Sequence, residues 1–160
     1  MKIIVIVGSG SGCGKTTIAG RVLRAIPGLG AAKISPREGP TRIEWGPGTP
    51  GKDTDLYAAS GAAPVARIIG PRDRVLETWQ GMSEAFAGCR GVVIEGTPGL
   101  DLPGDRYLVF VGADGWREKR PGRNAELALR ADVIIERSPE ADINKLLDLI
   151  RIFLQSSAMA

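Results

Sequence analysis

The 160-residue sequence contains no histidine and only two cysteines, Cys13 and Cys89. With no imidazole and no metal-ligand spacing between the thiols, a structural zinc site is excluded, and no disulfide framework is needed. Nor does any apolar run approach the ~20 residues of a membrane-spanning helix. The N-terminus enters at once a six-residue β-branched strand, too short for the apolar core of a secretory signal, so a cytoplasmic protein is expected. Internal repeats and low-complexity tails are also missing. The formal charge is +3 and the pI about 9.1, yet acidic and basic residues interleave along most of the chain. Trp45, Trp79 and Trp116 do not alternate with basic residues as a base-stacking surface would. Neither a nucleic acid nor a membrane is therefore indicated as a partner. A chain of this length suits a single domain, residues 1–160, able to bury most of its apolar surface without staples.

The chemistry that is present begins immediately. The apolar run Lys2 to Val7 leads into Gly8-Ser9-Gly10-Ser11-Gly12-Cys13-Gly14-Lys15-Thr16-Thr17, followed by the helix-compatible stretch Ile18 to Ile26. Strand, glycine loop and helix in this order predict a phosphate-binding P-loop. Glycines let backbone N–H groups close around phosphate oxygens, and the helix N-terminus adds positive potential. Gly10, Ser11, Gly12, Cys13 and Gly14 are expected to line the nucleotide, Lys15 to neutralise β/γ charge, Thr16 to ligate Mg²⁺ and Thr17 to reach the α-phosphate. The strict G-x-x-x-x-G-K-S/T spacing puts Ser9 at its first position, so the loop is one residue longer than its commonest form.

Strands alternating with helices predict a three-layer α/β domain of P-loop NTPase type with a mainly parallel sheet. After a short strand Ala31 to Ile34, residues 35–52 gather Pro36, Pro40, Pro47 and Pro50 with several glycines. This is a long loop or a small excursion, with room for a short strand Thr41 to Trp45. A helix Asp53 to Ser60 with Asp53 as cap, a strand Val65 to Ile69 and a helix Arg72 to Ala87 follow. In the last of these, Val75, Leu76, Trp79, Met82 and Phe86 form an apolar stripe. Gly91 to Gly96 reads as an apolar strand ending on Glu95, the placement of a Walker B carboxylate. Glu95 would hold Mg²⁺ or order a water, or else serve only as a capping or salt-bridging acid. Asp53 either supplies a second acidic group to the metal, caps its helix, or does both. Leu108 to Val111 and Asp132 to Ile135 complete the strands, separated by the polar loop Gly112 to Asn124 and a short helix Ala125 to Leu129. The final helix has a Ser138-Pro139-Glu140 start and a stripe of Ile143, Leu146, Leu147, Ile150, Phe153 and Leu154.

Two readings stand open for the basic run Trp116 to Arg123: a solvated loop, or an anion-binding lid. Cys13, near a helix N-terminus, is either a source of backbone N–H or an oxidation-sensitive thiol. No Asn-Lys-x-Asp guanine-reading motif and no convincing water-orienting glutamine are present, so strong intrinsic hydrolysis is not expected.

Residues 50–63, Pro-Gly-Lys-Asp-Thr-Asp-Leu-Tyr-Ala-Ala-Ser-Gly-Ala-Ala, resemble a P-G-K-D-S segment with short helix and A-G-A of the molybdopterin-guanine dinucleotide biosynthesis protein B family. The strand Val92 to Gly96 resembles that family's strand ending in V-E-G, and Leu108-Val109-Phe110 its next strand. The resemblance implies a GTP-binding accessory protein with weak GTPase activity, often a homodimer, assisting the guanylyltransferase that converts molybdenum cofactor to its guanine dinucleotide form. It assigns nucleotide or Mg²⁺ roles to Lys15, Thr16, Asp53 and Glu95, with Lys15 and Glu95 as the catalytic pair. Where the family carries a K-H-x-H-like segment this chain has Lys33-Ile34-Ser35-Pro36-Arg37, and Val111 replaces a common arginine. The glycine loop is also similar to the G-T-x-S/T-G-x-G-K-T loops of the dethiobiotin synthetase and cobyrinate amidase families. They imply an ATP-dependent ligase, beside which a small-molecule kinase and a non-hydrolysing nucleotide-dependent scaffold are further alternatives.

Overall fold

The computed structural model of the chain describes residues 1–136 and 140–156. Seven strands form one sheet: β1 (Lys2–Gly8), β2 (Leu29–Pro36), β3 (Arg42–Trp45), β4 (Val65–Gly70), β5 (Gly91–Glu95), β6 (Asp105–Gly112) and β7 (Val133–Glu136). Their spatial order is β3-β4-β2-β5-β1-β6-β7, with every pair parallel except the antiparallel β3–β4 edge. The helices are α1 (Lys15–Ala25), α2 (Asp53–Ala59), α3 (Arg72–Met82), α4 (Pro121–Arg130) and α5 (Glu140–Gln155).

The central strands β1 and β5 are apolar on both faces because both faces are covered, whereas the edge strand β3 is exposed. On β1, Ile4 and Ile6 pack with Ile18 and Val22 of α1, Tyr57 of α2 and Leu146 and Ile150 of α5. The alternate residues Ile3, Val5 and Val7 pack with Val75 and Trp79 of α3 and Leu127 of α4. The result is an α/β fold with a mostly parallel seven-stranded sheet flanked by helices. Among the described residues no helix is long and apolar enough to cross a membrane.

Several element boundaries differ from the sequence reading. The excursion at 35–52 contains β3, at Arg42–Trp45, which closes one sheet edge. Helix 72–87 is broken: α3 ends at Met82 and Ser83–Phe86 tightens into a 3₁₀ turn, with the Ser83 hydroxyl donating to the Gln80 carbonyl at 3.0 Å. Asp53 does not cap α2. The N-cap is Lys52, without a side-chain capping bond, because the Asp53 carboxylate is engaged elsewhere. The α4 helix starts at Pro121 rather than Ala125, since proline's missing N–H and fixed φ suit a first helical position. The expected Ser138-Pro139 start of α5 lies outside the described residues.

One glycine fixes where β5 delivers its carboxylate. Gly96 has φ of 132°, and a Cβ there would sit 2.4 Å from the Ile34 carbonyl oxygen of β2. Neither strain nor contact is avoidable, so Gly96→Ala is expected to lower unfolding free energy by ~3 kcal/mol, combining backbone strain with overpacking. Urea unfolding of the two proteins checks this, and a change below about 0.5 kcal/mol would refute it.

Candidate functional site

The site lies at the carboxyl ends of β1, β2 and β5, where open parallel sheets place ligands. β5 is the direct neighbour of β1, with Glu95 level with Ile6 and with Lys33 of β2. Crowding fixes the glycine loop at its root. A Cβ on Gly8 would stand 2.3 Å from Cys13 Sγ and 2.9 Å from the Val111 carbonyl oxygen. Ser9, the residue that lengthens the loop, is buried and ties it to the end of β6. Its amide donates to the Val111 carbonyl at 3.0 Å, and its Oγ accepts from the Ala113 amide at 3.0 Å. Gly12 and Gly14 have φ of 72° and 101°, a backbone open to glycine and strained for most L-residues. From Gly10 to Gly14 the amides donate to no backbone carbonyl among the described residues. The loop thus presents free donors above the N-terminus of α1, the arrangement that anions favour.

Lys15 opens α1 and folds its Nζ back onto the Gly10 carbonyl at 2.7 Å and Cys13 Sγ at 3.6 Å. Cys13 itself packs, partly buried, against the core cluster that includes α1, and it is absent from the walls of the cleft. Gly10, Ser11, Gly12, Gly14, Lys15, Thr16 and Thr17 all line that cleft, whose volume is about 650 Å³.

Thr16 stands between two carboxylates. Its Oγ1 lies 2.9 Å from Asp53 Oδ1 and 3.0 Å from Glu95 Oε2, so one hydroxyl proton faces two acceptors. The outer oxygens of the same carboxylates bind Lys33, at 3.0 Å for Glu95 Oε1 and in close contact for Asp53 Oδ2. Tyr57 donates its buried hydroxyl to Glu95 Oε2. Glu95 is therefore a salt-bridging acid, and it also turns an oxygen toward Thr16. Its side chain is only 4% exposed. One ammonium against two carboxylates leaves one negative charge beside the threonine hydroxyl. The described residues hold no cluster of three or more His, Cys, Asp or Glu. Two carboxylates and a hydroxyl, all oxygen donors and too few for a complete cage, fit Mg²⁺, which keeps several waters when bound to protein.

Electrostatics favour the ionised forms of Lys33 and Asp53. Burial pushes the Lys33 pKa down, but its hydrogen bond to Asp53 and the Glu95 charge outweigh that and leave it above its ordinary 10.5. Burial likewise pushes Asp53 up, while hydrogen bonds from Lys33 and Thr16 and the charge of Arg67 bring it below its ordinary 3.8. Burial and the Glu95 charge raise Tyr57, which stays a neutral donor. A depressed carboxyl contributes stability above its unfolded pKa and loses it as pH falls through the folded value. The stability difference between wild type and Asp53→Asn should accordingly be full above about pH 4 and vanish in stronger acid. Urea midpoints measured from pH 2 to 7 test this, and a pH-independent difference would count against it.

The basic run is anchored. Trp116 is buried against Phe110 at 4.8 Å between ring centroids and donates from Nε1 to Glu136 at 2.9 Å. Buried Asn124 donates to the carbonyls of Trp116, at 2.9 Å, and Lys119. Arg117 stacks on Trp116 and pairs with Glu136 at 2.8 Å. This brings Arg120 and Arg123 to the cleft wall, where neither forms an ion pair among the described residues. Arg120 adopts the left-handed backbone, φ 51° and ψ 58°, just before Pro121. Such strain in a non-glycine residue at a cleft marks a position held by its surroundings.

All five residues with expected chemical roles other than backbone donation, Lys15, Thr16, Thr17, Asp53 and Glu95, reach one cleft. Sequence reasoning missed Lys33 and Tyr57 as members, whereas Arg120 and Arg123 belong to the basic run for which an anion-binding lid was one of the two open readings. A lysine inside the otherwise apolar strand Leu29–Ile34 was the available signal for the first. Comparison with known proteins adds no relative: no family model, curated protein or solved structure matches the chain.

Proposed function

We propose that residues 8–17 are the P-loop of a P-loop NTPase fold, and that the protein binds GTP with Mg²⁺ and hydrolyses it slowly. In this reading it assists the guanylyltransferase that forms the guanine dinucleotide of molybdenum cofactor. The observation that carries the nucleotide part is the Thr16 hydroxyl, set one residue after Lys15 and shared between Asp53 and Glu95 at 2.9 and 3.0 Å. Lys15, Arg120 and Arg123 around the same cleft support a polyphosphate ligand. Guanine and the molybdenum cofactor enter through the resemblance of residues 50–63 and 91–96.

Thr16, Asp53 and Glu95 would hold the metal. Bound there, Mg²⁺ would neutralise charge on phosphate oxygens. The chain's own contributions are distinct. Loop amides and Lys15 bind phosphate, Lys33 orients both carboxylates and favours the ionised form of Asp53, and Tyr57 fixes the Glu95 oxygen that faces Thr16. No glutamine or histidine lines the cleft among the described residues, which supports slow turnover, since a water-positioning side chain speeds such hydrolysis.

Calorimetric titration with GTP and ATP in parallel, each with and without Mg²⁺, tests the reading. GTP preference with Mg²⁺ dependence is expected. An ATP preference would favour the ligase or kinase alternatives, and no binding to either would refute a working nucleotide site. In the same assay, Glu95→Gln should weaken Mg²⁺-dependent binding about tenfold more than binding measured without metal. An unchanged Mg²⁺ titration would leave Glu95 with a structural role alone.

A further inference from the structure

A second cavity, of about 310 Å³, opens behind the Lys33–Asp53 pair, and the nucleotide role makes no use of it. Its charged walls are Lys33 of β2, Arg37 just beyond that strand, Lys52 and Asp53 at the start of α2, and Arg67 of β4. Four are cations, and the single carboxylate is already bonded to Lys33 and Thr16.

The sheet register enforces this imbalance. Lys33 and Arg67 are direct partners on adjacent parallel strands, so two like charges stand side by side on one sheet face. Such a pair is destabilising unless an anion lies between or above it. Lys33 has Asp53 and Glu95. Among the described residues Arg67 forms one ion pair, with Glu44 at 3.8 Å, beside its longer-range attraction to Asp53, and its Nε is buried with no hydrogen-bond partner. Arg37 and Lys52 form no ion pair among the described residues. The Arg67 Nε is closed off from solvent, so what Arg67 offers the cavity is the partly exposed remainder of its side chain, and a phosphate would answer its charge together with those of Arg37 and Lys52.

We propose that this cavity binds a small phosphomonoester as a second ligand. The guanidinium groups of Arg37 and Arg67 match the paired oxygens of a phosphate, Lys52 adds a point charge, and Ser35 adds a hydroxyl. The volume suits one phosphate on a compact skeleton. Lys33 and Asp53 line both cavities, so the phosphomonoester sits across a two-side-chain wall from the glycine-loop cleft. Only the identity of that neighbour rests on the nucleotide reading.

The test is calorimetric titration of the full chain with phenyl phosphate, at low salt and without nucleotide or metal. Wild type, Lys15→Ala, and Lys15→Ala combined with Arg37→Glu and Lys52→Glu are compared. Arg37 and Lys52 are both exposed, and circular dichroism checks that the variants fold. Binding should survive Lys15→Ala and weaken at least tenfold when the two charges are reversed. Added salt should weaken it as well. Loss of binding with Lys15→Ala alone would place the anion at the glycine loop and overturn the proposal, as would indifference to the charge reversal or no binding at all. If GTP and ATP both fail to bind wild type while phenyl phosphate still tracks Arg37 and Lys52, the nucleotide reading fails and this site stands.

Discussion

Lys15→Ala is expected to weaken nucleotide binding about a hundredfold while leaving the thermal midpoint unchanged. The size follows from removing a charge-assisted contact to phosphate, which contributes roughly 1.5–3 kcal/mol. The unchanged midpoint follows from how little else the side chain does. Its Nζ touches only the Gly10 carbonyl and Cys13 Sγ, at 2.7 and 3.6 Å within its own loop. Releasing both costs the folded state little, because both contacts lie within the loop itself and neither joins it to the core. Calorimetry with GTP and a thermal melt on the same preparation decide the matter. A variant that binds as tightly as wild type would remove Lys15 from the site.

Lys33→Met has the opposite signature. Methionine fills a similar length but leaves the Asp53 and Glu95 carboxylates converging with no cation between them. Removing one partner from a buried ionic cluster costs about 3–5 kcal/mol, and the lower end applies here because the Asp53 side chain is 35% exposed. For a domain of this size about 3 kcal/mol corresponds to a fall in melting temperature of roughly 10 °C. Mg²⁺ should then stabilise the variant more than the wild type, since a divalent ion replaces the missing charge where the ammonium already supplies it in the parent. Melts with and without Mg²⁺ separate the two cases. Equal Mg²⁺ responses would mean that the carboxylate pair does not hold the metal.

The two candidate roles, a loop lysine that binds and a strand lysine that organises, were unequally legible in the sequence. Lys15 is announced by local order, strand then glycines then helix, and every part of that signal lies within about ten residues. Glu95 is legible for the same reason, as the carboxylate that ends an apolar strand before a glycine. Lys33 joins the site only because β2 pairs with β5, contacts separated by 62 residues along the chain. Tyr57 looks like one more apolar position of a short helix until the fold sets its hydroxyl against Glu95. Boundaries failed where tertiary demand overrode local pattern. Asp53 has the composition of a helix cap, yet its carboxylate is taken by Lys33 and Thr16. The polar run after Gly112 looks like a solvated loop, yet Trp116 and Asn124 pull it down and turn its end into α4.

The charged residues at the strand ends also bear on how the chain finds its pairing. Glu44, Arg67, Lys33 and Glu95 are successive register partners across β3, β4, β2 and β5, forming one charged row across the sheet. Strands such as Gly91–Glu95 and Lys2–Gly8 are nearly interchangeable under a two-residue slide, because isoleucine and valine recur on both faces. Hydrophobic burial alone therefore discriminates weakly among such slides. A slide of β2 by two residues would leave Glu95 opposite Ala31 or Ser35 and Lys33 without its acids, a difference of several kcal/mol. The row thus acts as an alignment key during assembly, and two of the charged groups that line the cleft, Lys33 and Glu95, also select the one sheet in which the cleft exists.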